Sequence, residues 1–294
     1  MSRLLLVLVA LAGCGRLRFD PLDRADADGS CVMQPFDAPQ PLSSVSSIGE
    51  EFGPWLSENR LDLYFDSDRT GALLVYHAHR ASAAVAFDPP AAIPLNGASP
   101  DDPFLSDDGI TMFLNDGPGG IGSFDILVAR RSGVTPTFDT PTNALTAALN
   151  SAQYDGGPTL SSDLLTMVFA SRRTSAGVDS DLYLSTRATP TSPFPGATRV
   201  DGLSTLMDDC CASLSGDGQR LVYAQGPFAA HRMRTAIRAG GDFVDDGPLD
   251  AVLDGDKDDV DLMMTRDQRT LVFSSNRTGT TGKHDLYIAE RSCL

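Results

Sequence analysis

Glutamate and lysine are nearly missing from this sequence. Glu occurs only as Glu50, Glu51, Glu58 and Glu290, and Lys only as Lys257 and Lys283. Both are good helix formers, so their scarcity argues against a helix-rich fold. Positive charge is short as well: 23 Lys and Arg face 39 Asp and Glu, for a net charge of −16. Without clustered cations the chain offers no electrostatic footprint for nucleic acid or for an anionic membrane surface. Long apolar runs are also lacking. The stretch Leu4 to Ala12 is too short for a membrane-crossing helix, which needs roughly 20 residues. No phosphate-binding Gly-rich loop with Lys, no His-Glu-x-x-His and no Gly-x-Ser-x-Gly is present, which removes the common nucleotide, zinc-protease and serine-hydrolase signatures.

What the chain does have is Asp, Gly and Pro, spread along its length. Asp caps turns, because its short carboxylate reaches nearby backbone N–H groups. Many short strands joined by turns fit this composition. The N-terminus differs. Arg3, the apolar run Leu4 to Ala12 and the small residues after it have the order of an export signal. Leu11-Ala12-Gly13-Cys14 resembles the bacterial lipobox, in which cleavage precedes a Cys that is then lipidated. That resemblance implies a signal peptide over 1–13, lipid on Cys14 and a membrane contact through that anchor alone. Gly15 after the Cys, by resemblance to the enterobacterial sorting rule, favours the outer membrane. Residues 14–33 carry Asp20, Asp23, Asp26 and Asp28 without any hydrophobic period and read as a flexible acidic tether.

From residue 34 onward the sequence repeats itself five times. The landmarks are Ser57, Ser106, Ser161, Ser215 and Thr265, spaced by about 50 residues, close to a propeller blade's period. Six and eight positions after each lie apolar pairs: Leu63 and Phe65, Met112 and Leu114, Met167 and Phe169, Leu221 and Tyr223, Leu271 and Phe273. A spacing of two puts each pair on one face of a strand. A third strand ends at Arg80, Arg131, Arg187, Arg238 and Arg291. A fourth is marked by Phe87, Phe138, Phe194 and Phe243. Its fifth copy is missing after the last repeat and stands at the front instead, at Phe36-Asp37-Ala38-Pro39. The sequence therefore predicts an all-β fold: a single five-bladed β-propeller of four-stranded blades over 34–294, closed by an N-terminal strand in the last blade. Closure removes the open edge that a strand ring would otherwise present. Cys31, before the displaced strand, and Cys293, near the end, should then be neighbours. An exported protein sits where disulfides persist, so a Cys31–Cys293 bridge would lock the ring, by about 4 kcal/mol in the chain-entropy description.

The segment from Asn150 to Ser161, with Ser275-Asn276-Arg277-Thr278-Gly279 and Asp285-Leu286-Tyr287, resembles the WD40-like repeat of TolB-type propellers. Asp108-Gly109 and Asp217-Gly218 supply its Asp-Gly turn, and Ser67-Asp68-Arg69-Thr70-Gly71 its Arg-Gly turn. The resemblance runs from about Phe36 to the end. It is specific for fold and weak for function, since such repeats resemble parts of many envelope binding and scaffolding proteins. Repeat four departs from it, with no Ser-x-Arg-x-Gly turn and with Arg232 where three others have Asp.

Three groups of residues are candidates for chemistry. Glu51, Asp101, Asp155, Asp209 and Asp259 precede the innermost strands, and would surround one channel mouth. Converging carboxylates repel each other, which raises pKa values and attracts a cation such as Ca²⁺ or Mg²⁺. The alternative is that each caps its own turn, alongside Asn96, Asn150 or Asp254 five residues earlier. Asp254 to Asp258 matches a calcium loop only in its first acids and lacks the Gly and terminal Glu of an EF-hand. Cys210-Cys211 stands at the mouth of blade four. A vicinal disulfide there would make a rigid apolar lip or a redox-labile one; two reduced or separately paired thiols are the alternative. A metal site is disfavoured there, since no second Cys pair or His lies nearby in sequence. Glycoside hydrolysis, known among five-bladed propellers, needs two carboxyls of different pKa, yet the acids here look repeated. The sequence thus points to a monomeric, non-catalytic binding or scaffold module for a protein partner, without cofactor. A polysaccharide-binding or glycosidase-like propeller, with an envelope glycan partner, is the alternative.

Overall fold

The computed structural model describes residues 32–294 except 97–98, 118–120, 134–136, 175–178, 254 and 256. Cys14 and Cys31 lie outside the described residues. Every regular element among the described residues is a strand.

The N-terminal strand is β1 (Gln40–Pro41). Blade one holds β2 (Glu51–Leu56), β3 (Asp62–Ser67), β4 (Leu74–His79) and β5 (Ala91–Ala92). Blade two holds β6 (Asp101–Leu105), β7 (Thr111–Asp116) and β8 (Asp125–Arg130). Blade three holds β9 (Asp155–Leu160), β10 (Thr166–Ser171), β11 (Asp181–Thr186) and β12 (Thr198–Arg199). Blade four holds β13 (Asp208–Leu214), β14 (Arg220–Gly226), β15 (Arg232–Ala239) and β16 (Asp242–Pro248). Blade five holds β17 (Asp259–Met264), β18 (Thr270–Ser275) and β19 (Asp285–Glu290), with β1 as its fourth strand. In blade two the expected fourth strand shrinks to a single bridge, Val128 to Thr142.

One device turns each inner strand into the next. The hydroxyls of Ser57, Ser106, Ser161, Ser215 and Thr265 donate to Asn59, Asp108, Asp163, Asp217 and Asp267. Each hydroxyl also accepts the backbone N–H five residues on, where the second strand begins. Between them a residue adopts positive φ: Arg60, Gly109, Leu164, Gly218 or Gln268. The carbonyl of that turn accepts from the Arg at the end of the third strand, shown by Arg80 to Arg60 at 2.7 Å and Arg187 to Leu164 at 2.8 Å. The same guanidinium lies over the fourth-strand Phe, with Arg80 4.3 Å from Phe87 and Arg187 4.4 Å from Phe194. Such stacking adds cation–π attraction to packing.

In blade five Arg291 lies over Phe36, at 4.5 Å. The fourth-strand Phe of the last blade therefore comes from the other end of the chain. β1 pairs antiparallel with β19, Gln40 against Ile288 and Pro41 against Tyr287. The pairing reaches further out: Met33 bridges Cys293, and Val32 N–H donates to Leu294 O at 2.7 Å. Residues 32 and 33, assigned above to the tether, thus already belong to the paired body. Cys293 is disulfide-bonded.

The core consists of five apolar layers, each sandwiched between neighbouring blades. Trp55, Tyr64 and Val75 of blade one pack with Leu105, Met112 and Leu114 of blade two. Equivalent layers join the other pairs, and Val272 and Leu286 of blade five complete the ring against Leu56, Leu63 and Phe65 of blade one. No blade can bury both faces alone, so closing the ring completes the core.

Candidate functional site at the channel mouth

The five innermost strands surround a central channel, and each is bulged at the same place. At Gly53, Asp102, Gly157, Cys211 and Asp261 the backbone enters positive φ, between 48° and 60°. The pairing with the second strand shifts register there in every blade. All five residues line the channel. A bulge turns its residue out of the ladder and re-aims the side chain. Glycine accepts this conformation freely, and Asp tolerates it better than most residues.

The bulges also join one blade to the next. Gly53 N–H donates to Asp261 Oδ2 at 3.3 Å, and Asp102 N–H to Asp66 Oδ1 at 3.1 Å. Gly157 N–H donates to Asn115 Oδ1 at 3.0 Å. The Tyr154 hydroxyl donates to Asp102 Oδ2 at 3.4 Å, and the Asn115 amide donates to Asp101. Asp66, Asp101, Asp102 and Asp261 thereby converge on one side of the mouth. Burial raises all four, and repulsion by neighbouring carboxylates adds to it at Asp66, Asp101 and Asp261. Asp102 is pushed to about 6 and Asp261 to about 8, chiefly by burial. Asp66 and Asp101 rise well above the usual carboxylate range for the same reason, with the neighbouring carboxylates adding to it. Carboxyls brought together in this way hold on to protons that isolated carboxyls give up.

The far end of the channel is bridged. Arg266 of blade five pairs with Glu58 of blade one at 3.6 Å and with Asp107 of blade two. Ser162 N–H of blade three donates to Gly216 O of blade four at 2.8 Å.

The acids that the sequence placed at the mouth have a different task. Glu51, Asp155, Asp209 and Asp259 are fully buried and clamp their own blades. Each accepts the backbone N–H four residues earlier, from Ser47, Ser151, Thr205 and Gly255. Their other oxygens accept from the second strand and the turn after it. Glu51 takes Ser67 and Arg69, Asp155 takes Arg173, and Asp259 takes Ser275 and Arg277. Asp209 takes Gln225 instead, because blade four lacks the Arg turn. This is the capping alternative, with two changes of partner: Asn150 accepts Ile126 N–H rather than sharing the cap, and Asn96 donates to Thr140. Asp254 lies outside the described residues.

Asp101 requires a correction. It stands one residue later in its blade than the other four acids, because the bulge aligns Asp102 with Gly53, and therefore Asp101 with Phe52. With a period of two, one residue reverses the face. Asp101 points toward the mouth cluster, and Pro100 occupies the clamping position.

Blade four carries a second cluster at the same end. His231 is buried, with Nδ1 2.7 Å from Asp258 Oδ1 and Nε2 3.1 Å from Asp208 Oδ2. Burial alone would lower its pKa, but hydrogen bonds to the two carboxylates outweigh it and push it up to about 9. Asp258 also meets His284, whose Nε2 is 3.4 Å from Oδ2. Beside this group the sulfurs of Cys210 and Cys211 are bonded to each other, with the Cys211 side forming channel wall.

Sequence reasoning missed Asp66, Asp102, Asp261 and His231. The signal was a break in the repeat: Asp102 and Asp261 replace the Gly of blades one and three. Asp66 stands where blade two has Asn115. His231 stands where blade three has Ser180.

No protein-family model matches this chain, and no curated protein is significantly similar to it. Solved structures share its fold. TolB from Acinetobacter baumannii is 16% identical over 85% of this chain, with a TM-score of 0.50; the chain spans 56% of that protein's length. A putative TolB from Agrobacterium tumefaciens is 13% identical over 90% of this chain and 99% of its own, with a TM-score of 0.50. The catalytic domain of a Coprinopsis cinerea GH62 α-L-arabinofuranosidase is 11% identical over 88% of this chain and 98% of its own, with a TM-score of 0.62. At such identities the likeness is one of fold alone: the chain is a five-bladed β-propeller that matches solved structures of TolB proteins and of glycoside hydrolases.

Proposed function

We propose that this protein is a non-catalytic binding module of the bacterial envelope, exported and held by lipid on Cys14, whose channel-mouth end docks a protein partner. The carrying observation is where its apolar side chains are exposed. Leu206 is 99% exposed, Ile48 88% and Phe228 81%. Ile48 and Leu206 occupy equivalent places, one residue after the N–H that caps Glu51 and Asp209. Phe228 lies in the loop after β14, whose end pairs with Asp208. Ile121 and Met207, also exposed, belong to loops at this same end. Isolated exposed apolar residues are ordinary, but a concentration at one end of a rigid disc is the pattern of an interaction surface. Four of these five are aliphatic or Met, which suits a protein surface better than the flat aromatic platforms that sugars stack on.

One observation favours the second reading, a glycan-binding or glycosidase-like propeller. Asp66, Asp101, Asp102 and Asp261 break the five-fold pattern at the mouth and bring together buried carboxyls of raised pKa, the kind of group that glycoside acid–base chemistry uses.

Both readings are tested by capture from envelope extract, with mass spectrometry of retained proteins and oligosaccharides. The wild type is compared with a Leu206→Asp/Phe228→Asp variant and with Asp261→Asn. A protein retained by wild type and Asp261→Asn but lost from the loop variant supports protein docking. An oligosaccharide retained or cleaved by wild type and lost with Asp261→Asn overturns it in favour of the glycan reading.

A further inference from the structure

The distinctive part of blade four is the place where His231, Asp208 and Cys210 meet. Asp208 and Cys210 are two residues apart on β13, on one face of the strand. The turn after β14 folds back so that His231 N–H donates to Asp258 at 3.0 Å, and its ring enters the gap between blades four and five. One donor atom each from Asp208, Cys210 and His231 then lies within 4.8 Å of the other two, and all three residues are buried.

We propose that these three residues form a binding site for a borderline-soft divalent metal of the Zn²⁺ class, opened by thiol reduction of the Cys210–Cys211 disulfide. Nitrogen, oxygen and thiolate sulfur in a buried setting are the donors that zinc selects. Asp258 already holds the Nδ1 side of His231, which leaves Nε2 facing Asp208 at 3.1 Å. A carboxylate on the far nitrogen is the usual way a metal-binding imidazole is oriented. A fourth position falls to the freed Cys211 sulfur or to water.

The disulfide is the gate, because a cystine sulfur is a poor ligand and a thiolate a good one. Cys211 forms channel wall, so it is the sulfur that a small thiol can reach. A reductant thiolate attacks Cys211 Sγ, the S–S bond breaks, and its electron pair leaves on Cys210 Sγ, which takes up a proton. A second thiol resolves the mixed disulfide at Cys211. The net change is one protein disulfide and two thiols becoming two protein thiols and one external disulfide. Metal entry then displaces the Cys210 thiol proton, and any proton on His231 Nε2, to solvent. Asp208, Asp258 and the Cys210 thiolate set three negative charges against the metal's two, so the metal's charge is compensated inside the gap, where an unpaired charge is the usual obstacle.

The test is a redox titration of the full chain in glutathione buffers. Free Zn²⁺ is either fixed by a metal buffer or removed by a chelator. The state of the pair is read by thiol alkylation and mass spectrometry of the Cys210–Cys211 peptide, which keeps Cys293 out of the readout. The site predicts that zinc shifts half-reduction toward more oxidising conditions, by at least about tenfold in the equilibrium, or about 30 mV for this two-electron couple. Asp208→Asn and His231→Gln should each abolish the shift. Co²⁺ added to reduced protein should give a thiolate charge-transfer band that oxidised protein lacks. A half-reduction point unmoved by zinc overturns the proposal. So does a shift that persists in both variants, since the metal would then be held by the thiol pair alone.

Discussion

A carboxyl group cut off from water keeps its charge only if a cation or several hydrogen bonds replace the solvent. Glu51, Asp155 and Asp259 each have an Arg and a backbone N–H at hand, so they serve as internal ties. Asp66, Asp102 and Asp261 have mainly N–H and O–H partners and one another. The consequence for stability has a definite sign. The pKa of Asp261 rises from 3.8 to about 8 in the folded chain, so between these values the folded state holds a proton that the unfolded state has lost. Stability from this group is therefore present below the lower value and lost as pH rises through the upper one. Asn keeps the acceptor for Gly53 N–H and tolerates the positive φ of 52°. Asp261→Asn should thus raise the unfolding free energy at pH 8 by roughly 1–2 kcal/mol and leave it little changed near pH 4. Urea denaturation at the two pH values reads the difference; no gain at pH 8 would mean that the Asp261 charge is already neutralised.

The inner strand is the element in which fold and site meet. In four blades its start is tied by an acid; in all five its middle is bulged and its end is turned by a Ser or Thr hydroxyl. The tie and the turn are legible in sequence, because they fall at fixed distances from Ser57, Ser106, Ser161, Ser215 and Thr265. The bulge is not, because one extra residue leaves the apolar spacing of the later strands intact. Asp101 read as the partner of Glu51, yet it stands five residues before Ser106 where the ties stand six before their Ser or Thr, and that offset makes it the partner of Phe52. The bulge positions differ in how much room they leave. A Cβ on Gly53 would lie 2.4 Å from Asp66 Oδ1 and 2.8 Å from Asp102 Cα, whereas at Gly157 the nearest atom, Asp102 Oδ2, is 3.9 Å away. Gly53→Ala should therefore cost about 2–3 kcal/mol, from clash and backbone strain together, and Gly157→Asn less than about 1 kcal/mol. Comparable midpoints for the two variants in urea would show that steric crowding at the bulge is not what selects glycine.

Closure of the ring depends on a few residues far from the last blade in sequence. Phe36 is buried under Arg291, its N–H donates to Asp250 at 3.0 Å, and β1 covers the edge of β19. Phe36→Ala should lower stability by about 3–5 kcal/mol, as a buried Phe does, and match Phe138→Ala in blade two. It should also promote association, by loosening the strand that covers the β19 edge. Thermal melts and light scattering of the two variants check this; a loss for Phe138→Ala but none for Phe36→Ala would mean that the N-terminal strand is an accessory.

Chain order alone determined the five blades, their closure and their turns, because a repeated period-two pattern admits few other burials and a displaced Phe36 has only one vacancy to fill. The N-terminal signal, the lipid on Cys14 and the pairing of Cys31 with Cys293 are expectations of the sequence that fall, Cys293 apart, on residues outside those the structure describes. The site was decided in three dimensions. Asp66, Asp102 and Asp261 come from three strands in three blades, and His231 meets Cys210 only because a turn folds back between blades. Such convergence depends on a one-residue bulge and on the radial order of the strands. Apolar periodicity is insensitive to both, since it records which face a residue takes and not what stands opposite.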